Sequence, residues 1–253
     1  AIDMVSARAA QNRLVLGQVK VDDKSDEISA IPELLQVLEI SGCIVTIDAL
    51  GCQKEIAEAI IAQEADYVLA LKENHGRLYE DVIRLFADLE ASEFTAYPYS
   101  QARTVNKNHG RLETRICQVI AEQDLLMQLR DAPEWPGLRA VVKVRARRQT
   151  GDEVTEKERY FISSLDSNAQ HLLKAVRSHW SIENGLHWVL DIAFREDESR
   201  IRKDHGPENF AVLRHIALNL VKQEKTQKAS VKGKHLKAGW DEDYLLKILS
   251  GLF

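Results

Sequence analysis

Two short, continuous apolar runs constrain this chain most. Residues 43–47 and 67–71 are too short for helices and lack the alternation of a half-solvated strand. Runs of that kind suit strands buried on both faces. Between them, residues 53–63 place Ile56, Ile60 and Ile61 at helical spacing. Strand, helix and strand within about 30 residues make a parallel crossover unit. Asp48 ends the first strand and Lys72 closes the second.

The flanking patterns extend this unit. Residues 4–9 and 15–21 read as two strands, with Gln11, Asn12 and Arg13 as a hairpin turn. Residues 22–26 are polar and loop-like. Residues 27–40 read as a helix with Ile31, Leu34, Leu35 and Leu38 on its buried face and Pro32 in its first turns. The order is hairpin, helix, strand, helix, strand. A ribonuclease-H-like core has that order after one further strand, so its first strand is expected to be missing here.

From about residue 93 to 165 the period changes to two, over 113–120, 138–147 and 154–164. Three strands with polar turns predict an antiparallel β insertion. Helical periodicity resumes over 168–180 and on to 194, and again over 208–222. Residues 223–239 are basic and poor in large apolar side chains, which predicts a mobile linker before a short helix over 244–252. The expected organisation is α/β. Residues 1–92 hold the first part of the core, 93–165 the insertion, 166–222 the later core helices, and 223–253 the basic linker and terminal helix.

Composition excludes several classes. Hydrophobic residues make up 45% and charged residues 29%, as in globular proteins. No apolar run reaches membrane-spanning length and no secretory signal is visible, so a cytoplasmic setting is expected. Cys43, Cys52 and Cys117 form no Cys-x-x-Cys pair. Gly42 and Gly51 do not build a glycine-rich phosphate loop. Net charge is −5, yet cations cluster locally at Lys143, Arg145, Arg147 and Arg148 and again along Lys222–Lys237. A phosphate backbone responds to local charge, because screening acts within about 10 Å at 0.1 M salt.

The stretch from Arg177 to Asp191 carries the most chemistry. As a helix it puts Glu183, His187 and Asp191 on one stripe beside an apolar stripe of Ile182, Leu186, Val189 and Ala193. Arg177 and Trp180 lie near the Glu183 carboxylate. Asp48, at the carboxyl end of a central strand, occupies the edge where ligands gather in open α/β sheets. Acids from distant parts of a chain that converge in space bind paired Mg²⁺ or Mn²⁺ for phosphoryl transfer. The structural alternatives are a turn-capping role for Asp48 and an amphipathic helix with a polar shoulder at Glu183.

The sequence resembles the DDE-class insertion-sequence transposases, specifically the H-repeat-associated family linked to Rhs elements. The resemblance rests on Lys24-Ser25-Asp26-Glu27-Ile28, Thr46-Ile47-Asp48-Ala49, Gln53, Asp66 through Lys72, His109-Gly110-Arg111 and Ile162-Ser163-Ser164. Most distinctive are Arg177 through Asn184 and Leu186-His187-Trp188. It implies metal-dependent DNA cleavage and strand transfer at element ends, with Asp48 as the second acid of the triad and Glu183 as its glutamate. The implied partner is double-stranded DNA, with a homodimer in the DNA complex allowed. Phosphate contacts are expected from Lys72, Arg111, Arg145, Arg147 and Arg177, and DNA contacts from Trp180 and His187. The alternative is a catalytically inactive DNA-binding or assembly fragment. Two departures stand out. The family's first acid lies in an Asp-Gly-Lys motif, which is absent here, and Asp3 falls on the wrong strand to replace it. Val176, His179 and Leu190 occupy positions where relatives carry Tyr, Arg and Lys.

Overall fold

The structure is a computed structural model that describes residues 4–21, 27–108, 110–180 and 182–250. In chain order the elements are β1 (Met4–Ala9), β2 (Leu14–Lys20), α1 (Glu27–Gln36), β3 (Ile44–Ile47), α2 (Lys54–Ala62) and β4 (Asp66–Leu71). Then come α3 (Gly76–Ala91), β5 (Ser100–Asn108), β6 (Arg111–Ile120), α4 (Gln123–Leu126), β7 (Ala140–Thr150) and β8 (Glu153–Ser163). The chain ends with α5 (Ala169–His179), a π-helical turn (Glu183–His187), α6 (Trp188–Phe194), α7 (Gly206–Gln223), α8 (Val231–Ala238) and α9 (Glu242–Leu249). The class is mixed α/β, as expected. The chain divides into two compact units, Glu39–Arg177 and Ala1–Leu38 with Ser178–Phe253.

The first unit is built on a six-stranded sheet of order β3-β4-β8-β7-β6-β5. The predicted crossover is present: β3 runs parallel to β4, with Ile44 opposite Asp66 and Ile47 opposite Leu69. Ile56, Ala57 and Ile60 of the connecting α2 are buried. Tyr67, Val68, Leu69 and Leu71 are buried, as the continuous apolar run predicts for β4. The residues of β3 are only half-buried, contrary to expectation, because β3 is the outermost strand among the described residues.

The β-rich segment continues this same sheet. β4 pairs antiparallel with β8, with Val68 opposite Ser163 and Leu71 opposite Tyr160. Two serines lock the junction. Ser163 Oγ donates to the Tyr67 carbonyl at 2.7 Å. Ser164 Oγ donates to Asp66 Oδ1 at 2.7 Å and accepts from the Tyr67 amide at 2.9 Å. The Tyr67 hydroxyl donates to the Pro136 carbonyl at 2.9 Å. Next to it, Gly137 has φ +68°, and a Cβ there would sit 2.9 Å from Ile61 Cδ1. Only glycine meets both conditions without strain.

Two elements of this unit go beyond the sequence reading. β5 forms a fourth antiparallel strand and pairs with β6 from Ser100–Val119 to Asn108–Arg111. α3 buries Leu78, Val82, Leu85, Phe86 and Leu89. At its far end, Glu90 reaches Lys143 at 3.0 Å, and Lys143 also meets Glu158 at 3.0 Å. Lys143 is 4% exposed, so its charge is compensated rather than solvated.

The second unit holds the β1–β2 hairpin as its own two-stranded sheet. α1 packs on both strands, and Gly17 of β2 lies against Leu34 and Leu38. α7 grips β2 through Asn219, whose Oδ1 accepts from the Val15 amide and whose Nδ2 donates to its carbonyl, both at 2.9 Å. Leu186, Leu190 and Leu218 form one buried cluster, and Leu220, Val221, Tyr244 and Ile248 another.

The expected linker over 223–239 is instead ordered around α8. Ser230 caps that helix by accepting from the Gly233 amide at 3.1 Å. Lys234 is buried, with its ammonium 3.3 Å from the Glu224 carboxylate and in contact with the Glu224 carbonyl. Glu224 accepts from the Thr226 hydroxyl and amide, the Gln227 amide and the Tyr244 hydroxyl. These donors, the Thr226 hydroxyl foremost, hold its carboxyl down to about 2. The low count of large apolar residues misled the reading, because a buried ion pair anchors α8 instead.

Ser164→Ala leaves the buried Tyr67 amide without its acceptor and is expected to cost about 1–3 kcal/mol in urea unfolding. Glu224 has a folded pKa below the ordinary carboxyl value of about 4.3. Its contribution is therefore present above that value and is lost as pH falls toward about 2. Melting temperature followed across that acid range should fall less steeply in Glu224→Gln, which starts from a lower plateau.

Candidate functional site

Asp48 follows β3 directly and is exposed. Because β3 and β4 are parallel, Asp48 and Lys72 stand at the same carboxyl edge of the sheet. Asp48 Oδ1 accepts from the amides of Leu50 at 3.1 Å and Gly51 at 3.3 Å. The turn-capping role thus exists, and it uses one oxygen. Oδ2 makes no hydrogen bond among the described residues.

The loop after β4 braces this turn. Asn74 Nδ2 donates to the Ala49 carbonyl at 2.8 Å. His75 Nε2 meets the Cys52 carbonyl, and the Trp135 ring stands edge-on to the imidazole at 5.0 Å. Cys52 is sealed, and burial, then Asp48, pushes its thiol pKa up. Two hydrogen bonds therefore fix the backbone that presents Asp48, and the Trp135 ring supports the imidazole that makes one of them. The sequence reading missed Asn74 and His75. Their signal was position: a short polar segment directly after the parallel neighbour of the Asp48 strand.

Glu183 belongs to the other compact unit. The helix expected to run unbroken to residue 194 is interrupted. α5 stops at His179, and Glu183–His187 is a π-helical turn. Such turns recur at functional sites, because the extra residue per turn re-aims side chains. Of Glu183 the structure describes the backbone alone. The apolar stripe holds: Leu186 and Ala193 are buried, and Ile182 and Val189 are half-buried. His187 is exposed. Trp180 is half-buried, its ring edge-on to His179 at 6.2 Å. Below the turn, His215 is buried, and its imidazole is pushed down to about 4 by burial first and then by His187.

The proposed phosphate contacts divide. Lys72, Arg111, Arg147 and Arg177 are exposed and make no ion pair among the described residues. Arg145 is held by Glu90 at 2.7 Å, Glu158 at 2.8 Å and Glu156 at 3.3 Å. That is the cross-strand alternative to a phosphate role. Glu113 pairs with Arg115 and Arg148, not with Arg147. Asp3, Lys24, Ser25, Asp26, His109 and Ser181 lie outside the described residues. Among those described, no group of three or more His, Cys, Asp and Glu could hold a metal ion, and no helix is long and apolar enough to cross a membrane.

Residues 3–220 match the family described as "Transposase DDE domain". The chain is 42% identical to "Putative protein YbfL" of Escherichia coli K12 and 41% identical to "H repeat-associated putative transposase YhhI" of the same strain. Each likeness covers 99% of this chain and 66% of the relative. It is 39% identical to "Putative transposase YncI" of Escherichia coli O157:H7, over 99% of this chain and 64% of that protein. The chain therefore spans just under two thirds of the length of these relatives.

Asn74→Ala removes one of the braces on the Asp48 turn. Amide exchange at Leu50 and Gly51 is expected to accelerate by about fivefold, the equivalent of one hydrogen bond near 1 kcal/mol. Exchange in β6 and β7 should not change, and an unaltered rate at Gly51 would show that Asn74 does not brace the turn.

Proposed function

This chain belongs to the transposase DDE domain family, and we propose that it is the greater part of the catalytic domain of a DNA transposase that cuts and joins strands at insertion-sequence ends. The observation that carries this reading is Asp48: an exposed carboxylate at the carboxyl end of a parallel strand, on a braced turn, with one oxygen uncommitted among the described residues. Glu183 supplies the later acid from its π-helical turn. The fold reading is a ribonuclease-H-like core whose sheet is extended by the antiparallel β segment. The outer position of β3 supports pairing of a further core strand there, bearing the first acid of the family.

Asp48 and Glu183 suit Mg²⁺ or Mn²⁺, since such hard cations take carboxylate oxygens. When bound, the paired ions activate the attacking oxygen and stabilise the leaving oxygen of phosphoryl transfer. The protein's own part is to present those oxygens and to hold DNA. Lys72, Arg111, Arg147 and Arg177 bind phosphates without reading sequence. Trp180 shields one side of the Glu183 turn and stacks on an unpaired base, and His187 contacts a phosphate. Arg145 serves the sheet's ion network. Double-stranded DNA is the partner, a homodimer on DNA is compatible with this reading, and the setting is the cytoplasm.

Cleavage of duplex DNA bearing the element's ends should be weak for this chain with Mg²⁺, because two acids under-coordinate a metal pair. It should rise strongly when the chain is extended to the length of its relatives. In that longer protein, Asp48→Asn and Glu183→Gln are each expected to reduce cleavage to background while DNA affinity stays within about twofold. Undiminished cleavage in either variant would remove that residue from the site. Retained DNA binding with no cleavage in any form would favour the inactive DNA-binding reading. Trp180→Phe should weaken binding to frayed DNA ends by about 1–3 kcal/mol if the ring stacks on a base. A lower melting temperature with unchanged binding would make Trp180 structural.

A further inference from the structure

The antiparallel strands run past the core. Residues 117–120 of β6, 140–144 of β7 and 160–163 of β8 are buried, whereas 111–115, 146–150 and 153–157 are half-buried or exposed. Pairing through this extension is unbroken. Arg111 lies opposite Thr150, Glu113 opposite Arg148 and Arg115 opposite Ala146. Thr150 lies opposite Glu153, Arg148 opposite Thr155 and Ala146 opposite Lys157. Directly opposed residues share a face, and every second residue along a strand returns to it. Arg111, Arg148 and Lys157 therefore stand on one face, on a straight diagonal across β6, β7 and β8. Each diagonal step is about 7–8 Å. Arg147, next to Arg148 in sequence, stands on the opposite face.

The two faces differ in kind. Val105, Leu112 and Val154 are 53%, 38% and 45% exposed, and the register puts all three on the Arg147 face. Lys143 and Arg145, on that same face, are held by Glu90, Glu156 and Glu158. The Arg111 face of the extension carries no large exposed apolar side chain among the described residues. There Arg111, Arg115, Arg148 and Lys157 stand against two carboxylates, Glu113 and Glu153. Glu113 meets Arg115 at 2.7 Å and Arg148 at 3.8 Å, so one carboxylate is shared by two guanidiniums. Arg111 and Lys157 are exposed, and the exposed Thr150 and Thr155 stand among the cations. A protein partner's contact is built around apolar and aromatic anchors. A phosphate backbone needs cations and hydroxyl donors instead, and those are what this face presents.

We infer that this face is a docking surface for the backbone of a DNA duplex, with Arg111, Arg148 and Lys157 following phosphates of one strand. The inference rests on the DNA-processing reading above and gives it a surface. Arg148 and Lys157 join Arg111, and a phosphate held by Arg147 belongs to another stretch of DNA, because the sheet stands between them.

The test is a salt titration of binding to a labelled mixed-sequence duplex, with melting temperatures taken in parallel. Arg148→Gln and Lys157→Gln are each expected to reduce the magnitude of the log–log salt slope by about one, and the pair by about two, with the melting temperature intact. Arg148→Lys keeps the charge and should keep the slope. Lys107→Gln makes the same charge change on the opposite face and should leave the slope as it is. An unchanged slope in the double variant would overturn the proposal. So would an equal loss in Lys107→Gln, because binding would then respond to net charge and not to this face. Sedimentation without DNA covers a protein occupant: self-association that is lost in Arg148→Gln while the slope holds would make the face a contact between copies and overturn the inference. Failure of the unmodified chain to bind duplex would overturn it too. A face-dependent slope in a protein that never cleaves, even at its relatives' length, would uphold the surface and sink the transposase reading. Cleavage at that length with the slope unchanged in the double variant would do the reverse.

Discussion

Strand β4 has neighbours of opposite sense, and the first unit depends on that junction. A parallel neighbour requires a crossover connection, which α2 provides, and it brings two strand ends to one edge. An antiparallel neighbour can arrive from anywhere later in the chain, and here it arrives much later as β8, with Leu71 opposite Tyr160. The two hydrogen-bond patterns must be reconciled on one six-residue strand that is buried almost throughout. Ser163 and Ser164 reconcile them: the Ser163 hydroxyl donates to the Tyr67 carbonyl and the Ser164 hydroxyl oxygen accepts from the Tyr67 amide where the ladder runs out. The Ile162-Ser163-Ser164 motif therefore has a physical function in joining the sheet, separate from any chemistry.

That junction also determines what stands beside Asp48. The parallel register places the loop after β4 next to the loop after β3, so Asn74 and His75 reach carbonyls of the Asp48 turn. The brace follows from topology. In the second unit the support for Glu183 is of another kind: a π-helical turn whose carbonyl at Gly185 accepts from the Lys222 ammonium. One acid is positioned by neutral hydrogen bonds within loops, and the other by charge and by an irregular helix.

The sequence made the strands and helices with a clear buried face legible. β3, β4, α2, the hairpin and α7 all lie within a few residues of where periodicity puts them. β5 was illegible because Ser100–Asn108 is an outer strand with little apolar character to alternate. α3 is a different case, since its five buried residues stand at regular helical spacing and could have been read. The interruption before Glu183 has no signature in hydrophobic pattern, because the apolar stripe from Ile182 to Ala193 fits a regular helix as well. α8 was hidden because its anchor is a buried lysine, a residue type that pattern reading assigns to solvent. The positions of Asp48 and Lys72 at strand ends were legible. The braces around Asp48 required tertiary contacts, and which arginines are already paired required the register.

That last point changes the meaning of a net charge of −5. In the sheet unit, a subset of the acids is consumed by neighbouring cations: Glu90 and Glu158 by Lys143 and Arg145, Glu113 by Arg115 and Arg148, Asp81 by Arg130, and Glu134 by Lys54. Paired charges produce little field beyond a Debye length, so they add almost nothing to what a polyanion meets at the surface. What it meets are the charges left over. Lys72, Arg111, Arg147 and Arg177 are among these. A chain with a negative total can present positive surface wherever its acids are spent internally, and charge counting by sequence window cannot distinguish a spent arginine from a free one.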